Sequence, residues 1–440
     1  MNLHPRGALR WLYPGMRVKR WGILALVSVG LIVLALMAAV GRSEVMRFYR
    51  LLPQAPFAQD LLIATALLAG LAGFTWGLRQ LVHSIAGGIA PGRLEKPSTL
   101  IYRTRVLERG PRVVALGGGT GLSTLLRGMK EVTANLTAVV TVTDDGGSSG
   151  RLRSELDVLP PGDVRNCILA LAEDEARMSG FFQHRFWGPS DLSGHSLGNL
   201  LLVGLEQATG GFDRAIEAMS QILSVRGQVL PATLAKTHLA AEMEDGEWIE
   251  GESRITEDPR QIRRIRLSPS NIPPHDRVIE AIETAELILL GPGSLFTSLV
   301  PNLLVEGIAE AIGASGAEKV LVANLMTQPG ETERFTLRDH LRTLAEYLDL
   351  RTFDTVLVND ALPAQEILDA YRADASEPVR NDLSETSEYA LQVVTADLLG
   401  LAELEGKTTV KHDPAKLARA IVRHTRTFAH RHPERMNGGT

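Results

Sequence analysis

Two glycine clusters, each at the end of a short apolar run, constrain this chain more than any other feature of its sequence. Residues 112–116 form an apolar, β-branched run bounded by glycines, the pattern of a buried strand. Gly117, Gly118, Gly119, Thr120 and Gly121 follow, after which Leu122, Leu125, Leu126 and Met129 recur at helical spacing. Residues 136–142 read as a second strand, ending at Asp144, Asp145, Gly146, Gly147, Ser148, Ser149 and Gly150. Strand, glycine turn, helix, strand is a unit whose two strands lie parallel. The expected fold class is therefore α/β, a Rossmann-like and mostly parallel sheet with helices on both faces. Ligands of such open sheets bind beyond the carboxyl ends of the strands, where both clusters lie.

Neither cluster carries a standard fingerprint. The pattern G-x-G-x-x-G needs glycine where Leu122 stands, and no Gly-Lys-Ser/Thr follows either cluster. Nicotinamide and P-loop chemistry are thereby disfavoured. What remains is general: glycine lets a backbone approach phosphate, and a helix N-terminus offers unpaired N–H groups and partial positive charge. Thr120 and Ser123 add hydroxyl donors. The plain alternative is two turns serving only chain reversal.

The pattern continues downstream. Residues 287–290 read as a buried strand, and Gly291, Pro292, Gly293 and Ser294 follow it as a third anion-capable turn opening a helix. Asn324 closes the next strand, 319–325, and Thr327 lies just beyond it. Residues 355–358 read as a further strand, with a helix over 336–348 before it. Helices are also expected over 212–223 and 276–285, and from Asp413-Pro414, an N-cap followed by proline at N1. Residues 237–243 and 247–253 flank Asp245-Gly246, a hairpin signal that implies a β-insertion in the parallel sheet.

If strand geometry persists through them, alternation prevents Asp144 and Asp145 from both facing the crevice. A carboxylate beside a phosphate is repelled, so the inward one needs a divalent cation or must bind a hydroxyl or N–H. Asp145 is the candidate metal ligand and magnesium the candidate ion. An aspartate turn without function is the competing reading. Arg151, Arg153 and Arg165 are matched in shape to phosphate oxygens, and Asp163 and Asn166 flank the last of these. His195 and Asn199, four apart, are expected on one helical face as polar contacts to ligand or loop. Cys167, the single cysteine, sits in an apolar run and reads as a buried small hydrophobe.

Taken in order, the glycine cluster at 117–121, the DDGGSSGR run at 144–151, Pro160-Pro161-Gly162-Asp163-Val164-Arg165-Asn166, His195-Ser196-Leu197-Gly198-Asn199 and Gly291-Pro292-Gly293-Ser294-Leu295 closely resemble one family. It is the gluconeogenesis-factor (YvcK-type) branch of the 2-phospho-L-lactate transferase (CofD-like) family, over residues 112–359 at least. The resemblance implies a UDP-sugar-binding regulator linking carbon metabolism to cell-wall growth and cell shape. The other branch implies the alternative, a divalent-cation-dependent transfer of a phospholactyl group from a guanine nucleotide to a deazaflavin. Three glycine-rich strand ends on one edge suit a diphosphate-bearing nucleotide. The expected partners are a nucleotide-sugar, cell-wall synthesis proteins and a second copy of the chain.

The first hundred residues differ in kind. Residues 21–40 and 61–78 are uncharged, long enough in the first case and barely so in the second to cross about 30 Å of hydrocarbon. Arg6, Arg10, Arg17, Lys19 and Arg20 precede the first run, and Arg79, Arg93, Lys96, Arg103 and Arg105 follow the second. This predicts a transmembrane hairpin with both ends and the soluble domain cytoplasmic. Gly73 and Gly77 have the spacing of a packed face against the first span. The expected organisation is a membrane region over 1–80, a linker over 81–110, the α/β domain over 111–430 and a disordered tail over 431–440. The net charge of −5 gives no footing for nucleic acid, and one cysteine excludes a disulfide framework.

Overall fold

The computed structural model describes residues 18–40, 56–89, 106–383, 389–404 and 407–429. It divides into two compact units, Met1–Thr104 and Arg105–Thr440. The expected tail over 431–440 and much of the linker lie outside the described residues.

The first unit consists of helices α1 (Val18–Val40) and α2 (Pro56–Ile89). They pack together through small residues: a Cβ added at Gly77 would lie 3.1 Å from the Ala25 nitrogen and 3.2 Å from the Trp21 carbonyl oxygen. Gly73 and Gly70 face Ser28 in the same way. The second apolar run, read from sequence as the short one, is embedded in a 34-residue helix. That helix runs through Gly87 and Gly88, which the sequence suggested were linker. Its Leu61–Leu81 stretch has a mean hydropathy of 1.9 and is only 11% buried, while Trp21–Met37 of α1 is shorter. Leu26, Val27, Leu68 and Leu71 point their side chains outward, which leaves large apolar area to be covered by something other than this pair.

The second unit opens with β1 (Val113–Gly117), α3 (Gly119–Met129), β2 (Leu136–Val140), α4 (Gly147–Leu156) and α5 (Gly162–Leu171). Then come α6 (Glu175–Gln183), α7 (Leu197–Thr209), α8 (Phe212–Ile222) and β3 (Gln228–Pro231). Seven strands form one all-parallel sheet in the order β10-β9-β8-β7-β1-β2-β3, with β7 (Leu287–Leu290), β8 (Glu318–Val322), β9 (Thr355–Asn359) and β10 (Gln392–Ala396). The chain builds outward from β1 to β3, then returns to set β7 on the other side of β1. Val113 and Ala115 enter the core on one face, and Val114 and Leu116 enter that on the other. A sheet covered on both faces explains why its strands read as continuous apolar runs instead of alternating ones.

Two elements depart from expectation. The predicted hairpin forms as β4 (His238–Met243) and β5 (Trp248–Glu250), but β6 (Ile262–Ser268) joins it in a separate three-stranded antiparallel sheet, order β5-β4-β6. Residues 252–257, partly assigned to the second hairpin strand, are helix α9 (Glu252–Glu257). A second hairpin, β11 (Leu399–Leu404) with β12 (Lys407–His412), follows the sheet and precedes the helix Pro414–His424. That helix is capped as expected, Asp413 Oδ1 accepting from the Lys416 N–H at 2.8 Å.

Candidate functional site

β1 and β7 are neighbours where the strand order reverses, so the loops that follow them diverge and leave a crevice. Gly118 is extended at the head of α3, and Gly119 is left-handed at φ 57°. Gly121 answers to a different constraint, since a Cβ there would overlap the Pro292 carbonyl. The two glycine loops therefore meet backbone to backbone. Gly293 donates its N–H to Asn324 Oδ1 at 3.2 Å, and Gln328 Nε2 donates to Ser294 Oγ at 2.7 Å, which fixes the second loop to the end of β8.

The crevice measures about 380 Å³. Gly118–Gly121 form one wall and Pro292–Ser294 the other, with hydroxyls from Thr124, Thr297 and Ser298 between them. Three carboxylates, Asp144, Asp163 and Glu252, face it, and Val410, Lys411 and His412 of β12 line it from the side. Lys411 is the sole lysine or arginine among the lining residues.

Acid crowding sets the electrostatics. Asp163 sits in the first turn of α5, accepts the Gly119 N–H, and is pushed up to about 7 by burial and by Asp144. Glu252 is driven well above the ordinary carboxylate range by burial, with Asp144, Asp163 and Glu331 adding to it. Burial also raises Asp144, against the pull of the Gly146 N–H and the Ser149 hydroxyl. Neighbouring carboxylates that cannot all ionise hold protons near neutrality. A protonated carboxyl donates a hydrogen bond, so this crevice can meet phosphate or hydroxyl oxygens as a donor. Burial lowers His412 to about 4, which keeps its imidazole neutral. Among the described residues no group of three acidic, histidine or cysteine side chains could hold a metal ion.

Asp144 of the aspartate pair lines the crevice, although β2 ends at Val140 and the pair lies in the loop beyond it, so the loop and not strand alternation separates the two. Asp145, the residue expected to hold metal, is turned away and accepts from the Ser253 N–H at 2.8 Å and the Ser253 hydroxyl at 2.9 Å. His195 is not on the helix with Asn199, because Ser196 is the N-cap of α7 and His195 precedes it. The two still converge: His195 Nδ1 and Asn199 Nδ2 each lie 3.0 Å from Ser148 Oγ, in a buried cluster behind the crevice wall. Ser149 is likewise buried in α4, and at half-buried Gly150 a Cβ would overlap the Asp145 carbonyl. Arg165 is buried and joins that cluster, donating to Ser196 Oγ at 2.5 Å and to Asn166 Oδ1 at 2.6 Å. Arg151 donates to the Ser193 carbonyl at 2.6 Å and does not line the crevice. Gly117 and Gly291 shape the strand ends from behind. Cys167 is buried, and burial raises its thiol well above the ordinary value.

Glu252, Thr297, Gln328 and residues 410–412 line the crevice without having been anticipated from sequence. Asp163 and Arg165 carried a signal in the PPGD run; the β12 residues carried none, since a distant hairpin brings them in.

A doubly wound α/β domain with one acid-rich crevice between two glycine loops defines the class. Residues 113–399 match the family model described as 2-phospho-L-lactate transferase CofD. The chain belongs to the CofD-like family, in its gluconeogenesis-factor (YvcK-type) branch. It is 44% identical over 428 residues to a putative gluconeogenesis factor of Nostoc, covering 94% of this chain and 92% of that one. The gluconeogenesis factor of Bacillus subtilis is 45% identical over 312 residues, covering 71% of this chain and 97% of its own length. A crystal structure of a Bacillus halodurans protein superposes with a TM-score of 0.68 at 44% identity, over 71% of this chain and all of that one. The Nostoc alignment is long enough to include most of the first hundred residues, so that region is shared with some relatives.

Proposed function

We propose that the chain is a membrane-tethered regulator that binds a nucleotide-sugar, most simply a UDP-sugar, in the crevice between its two glycine loops. The observation that carries this reading is the meeting of the Gly118–Gly121 and Pro292–Ser294 backbones at the switch point, beside hydroxyls and proton-holding carboxylates. Backbone N–H groups take the diphosphate there, and carboxyls take sugar hydroxyls or the ring N–H of a base. The apolar outer faces of α1 and α2 support insertion of that pair as a helical hairpin, with the domain on the cytoplasmic side where nucleotide-sugars are made. Coupling ligand level to cell-wall growth and carbon use follows from the family and from tethering near membrane-bound synthetic enzymes. Calorimetry on the full chain with UDP-sugars and guanine nucleotides, with and without magnesium, tests the ligand. Binding of guanine nucleotides alone, or transfer of a phospholactyl group to a deazaflavin, overturns the regulator. Reporter fusions after Gly92 and at Thr440 test the topology, which a periplasmic signal from either would sink.

The transferase reading has one observation in its favour, the carboxylates Asp144 and Asp163 on the crevice wall. A divalent cation held between them and ligand phosphates would neutralise the acid cluster. Magnesium-dependent affinity is its signature.

A further inference from the structure

On the far side of the turn at residues 144–147, a second concavity of about 660 Å³ opens. Three separated segments wall it with positive charge: Arg151 and Arg153 from α4, Lys236 just before β4, and Arg254 from α9, with the His238 imidazole beside them. Among the lining residues Asp145 and Asp157 oppose them, and Asp144 and Glu252 act on Arg153 from the crevice side. Asp145 is held by Ser253, and Asp157 pairs with Lys236 at 2.5 Å in an exposed contact that water screens. Arg153 is half-buried and directs its guanidinium at the carbonyls of Thr143 and Thr237 instead of at a carboxylate. Arg254 is exposed and bonds to no described residue. Burial lowers the His238 imidazole below its ordinary value, with the Arg153 charge adding to it against Asp145 and Glu250.

Four cations, Arg151, Arg153, Lys236 and Arg254, outnumber the two carboxylates that line the same wall, which leaves it able to take an added anion. Guanidinium forks match phosphate oxygens, and a concave wall suits a small molecule. We propose that this concavity is a second anion site, which takes a small phosphorylated molecule distinct from the nucleotide-sugar. It abuts the glycine crevice through consecutive residues. Asp144 and Glu252 line the crevice, while Asp145 and Ser253 line the concavity. The proposal stands whether or not the crevice ligand is a UDP-sugar.

Inorganic pyrophosphate is the probe, titrated into the full chain in detergent by calorimetry with UDP-N-acetylglucosamine in excess, so that the crevice is already filled. The parent and Gly119→Val, which alters the crevice alone, are expected to bind it equally. The double variant Lys236→Gln/Arg254→Gln changes two exposed side chains and is expected to lose at least about tenfold in pyrophosphate affinity, about 1.4 kcal/mol. Its affinity for a UDP-sugar should stay at the parent's level. No binding by the parent, undiminished binding by the double variant, or loss in Gly119→Val overturns the site. A lipid headgroup carries the same phosphate chemistry, so phosphatidylglycerol vesicles and glycerol phosphate are compared as competitors. Displacement by the vesicles alone would assign the concavity to lipid and refute the small-molecule proposal.

Discussion

Replacing Gly119 separates backbone strain from ligand approach. Gly119 is left-handed at φ 57°, and a Cβ there would stand 3.7 and 3.9 Å from the two Asp163 carboxyl oxygens, which is ordinary contact. Gly119→Val therefore meets no clash at Cβ and suffers chiefly the left-handed penalty, about 1–2 kcal/mol for an L residue and somewhat more for a branched one. For a domain of this size each kcal/mol moves Tm by about 1–2 °C, so the variant should unfold only a few degrees below the parent. Its methyl groups enter the crevice where phosphate approaches, and UDP-sugar affinity should fall by well over about tenfold. Gly147→Ala is the control. Gly147 is also left-handed, at φ 50°, but a Cβ there meets nothing within 4 Å. It should show a similar Tm shift and keep its affinity. The assays are thermal unfolding and calorimetry with UDP-N-acetylglucosamine. A folded Gly119→Val that binds like the parent, or a Gly147→Ala that loses binding equally, refutes the reasoning.

Lys411→Gln removes the sole lysine or arginine charge on the crevice wall. We expect UDP-sugar affinity to drop about tenfold while uridine affinity is unchanged; equal losses for both would mean that Lys411 does not meet the diphosphate. Asp163 has a folded-state pKa of about 7, above its unfolded value, so the folded state binds the extra proton and stability falls as pH rises from about 4 through 7. Because the crevice is open to water, the effect should be about 1–2 kcal/mol, well below the full shift. Asp163→Asn should flatten that slope in urea unfolding followed against pH, and an unaltered slope would contradict the assignment. Asp145→Ala strips Ser253 of its acceptor and should cost about 1–3 kcal/mol of stability, whereas Asp144→Asn should act mainly on ligand affinity. Urea unfolding and calorimetry on both variants would expose a reversal of these roles.

Much of the parallel sheet was legible because its strands are local, continuous apolar runs. Leu287–Leu290 is so deeply buried that its composition alone marks it, and Gly117–Gly121 follows its strand directly. The hairpin at Asp245-Gly246 was visible for the same local reason. Its third strand was not, since β6 pairs with β4 only after α9 and reads as the charged run IRRIRLS. His195 misled because spacing of four suggests a helix face wherever a helix is assumed, and Ser196 capped α7 one residue later. The basic residues near the DDGG run were read as one anion site, although the chain turns Arg151 and Arg153 to the opposite side of that turn.

The sequence by itself determined the α/β class, the two apolar N-terminal helices and the glycine loops, because each is written in neighbouring residues: periodicity, turn chemistry and the freedom of glycine. Only the tertiary structure decided that Asp144 and not Asp145 meets the crevice, that Glu252 and Lys411 join it, and that Ser148, His195 and Asn199 pack behind it. Those assignments depend on which distant segments the sheet order makes adjacent, and on burial raising the proton affinity of carboxyls that neighbours from other segments, such as Asp144 beside Glu252, crowd further. Neither is a property of any local stretch of chain.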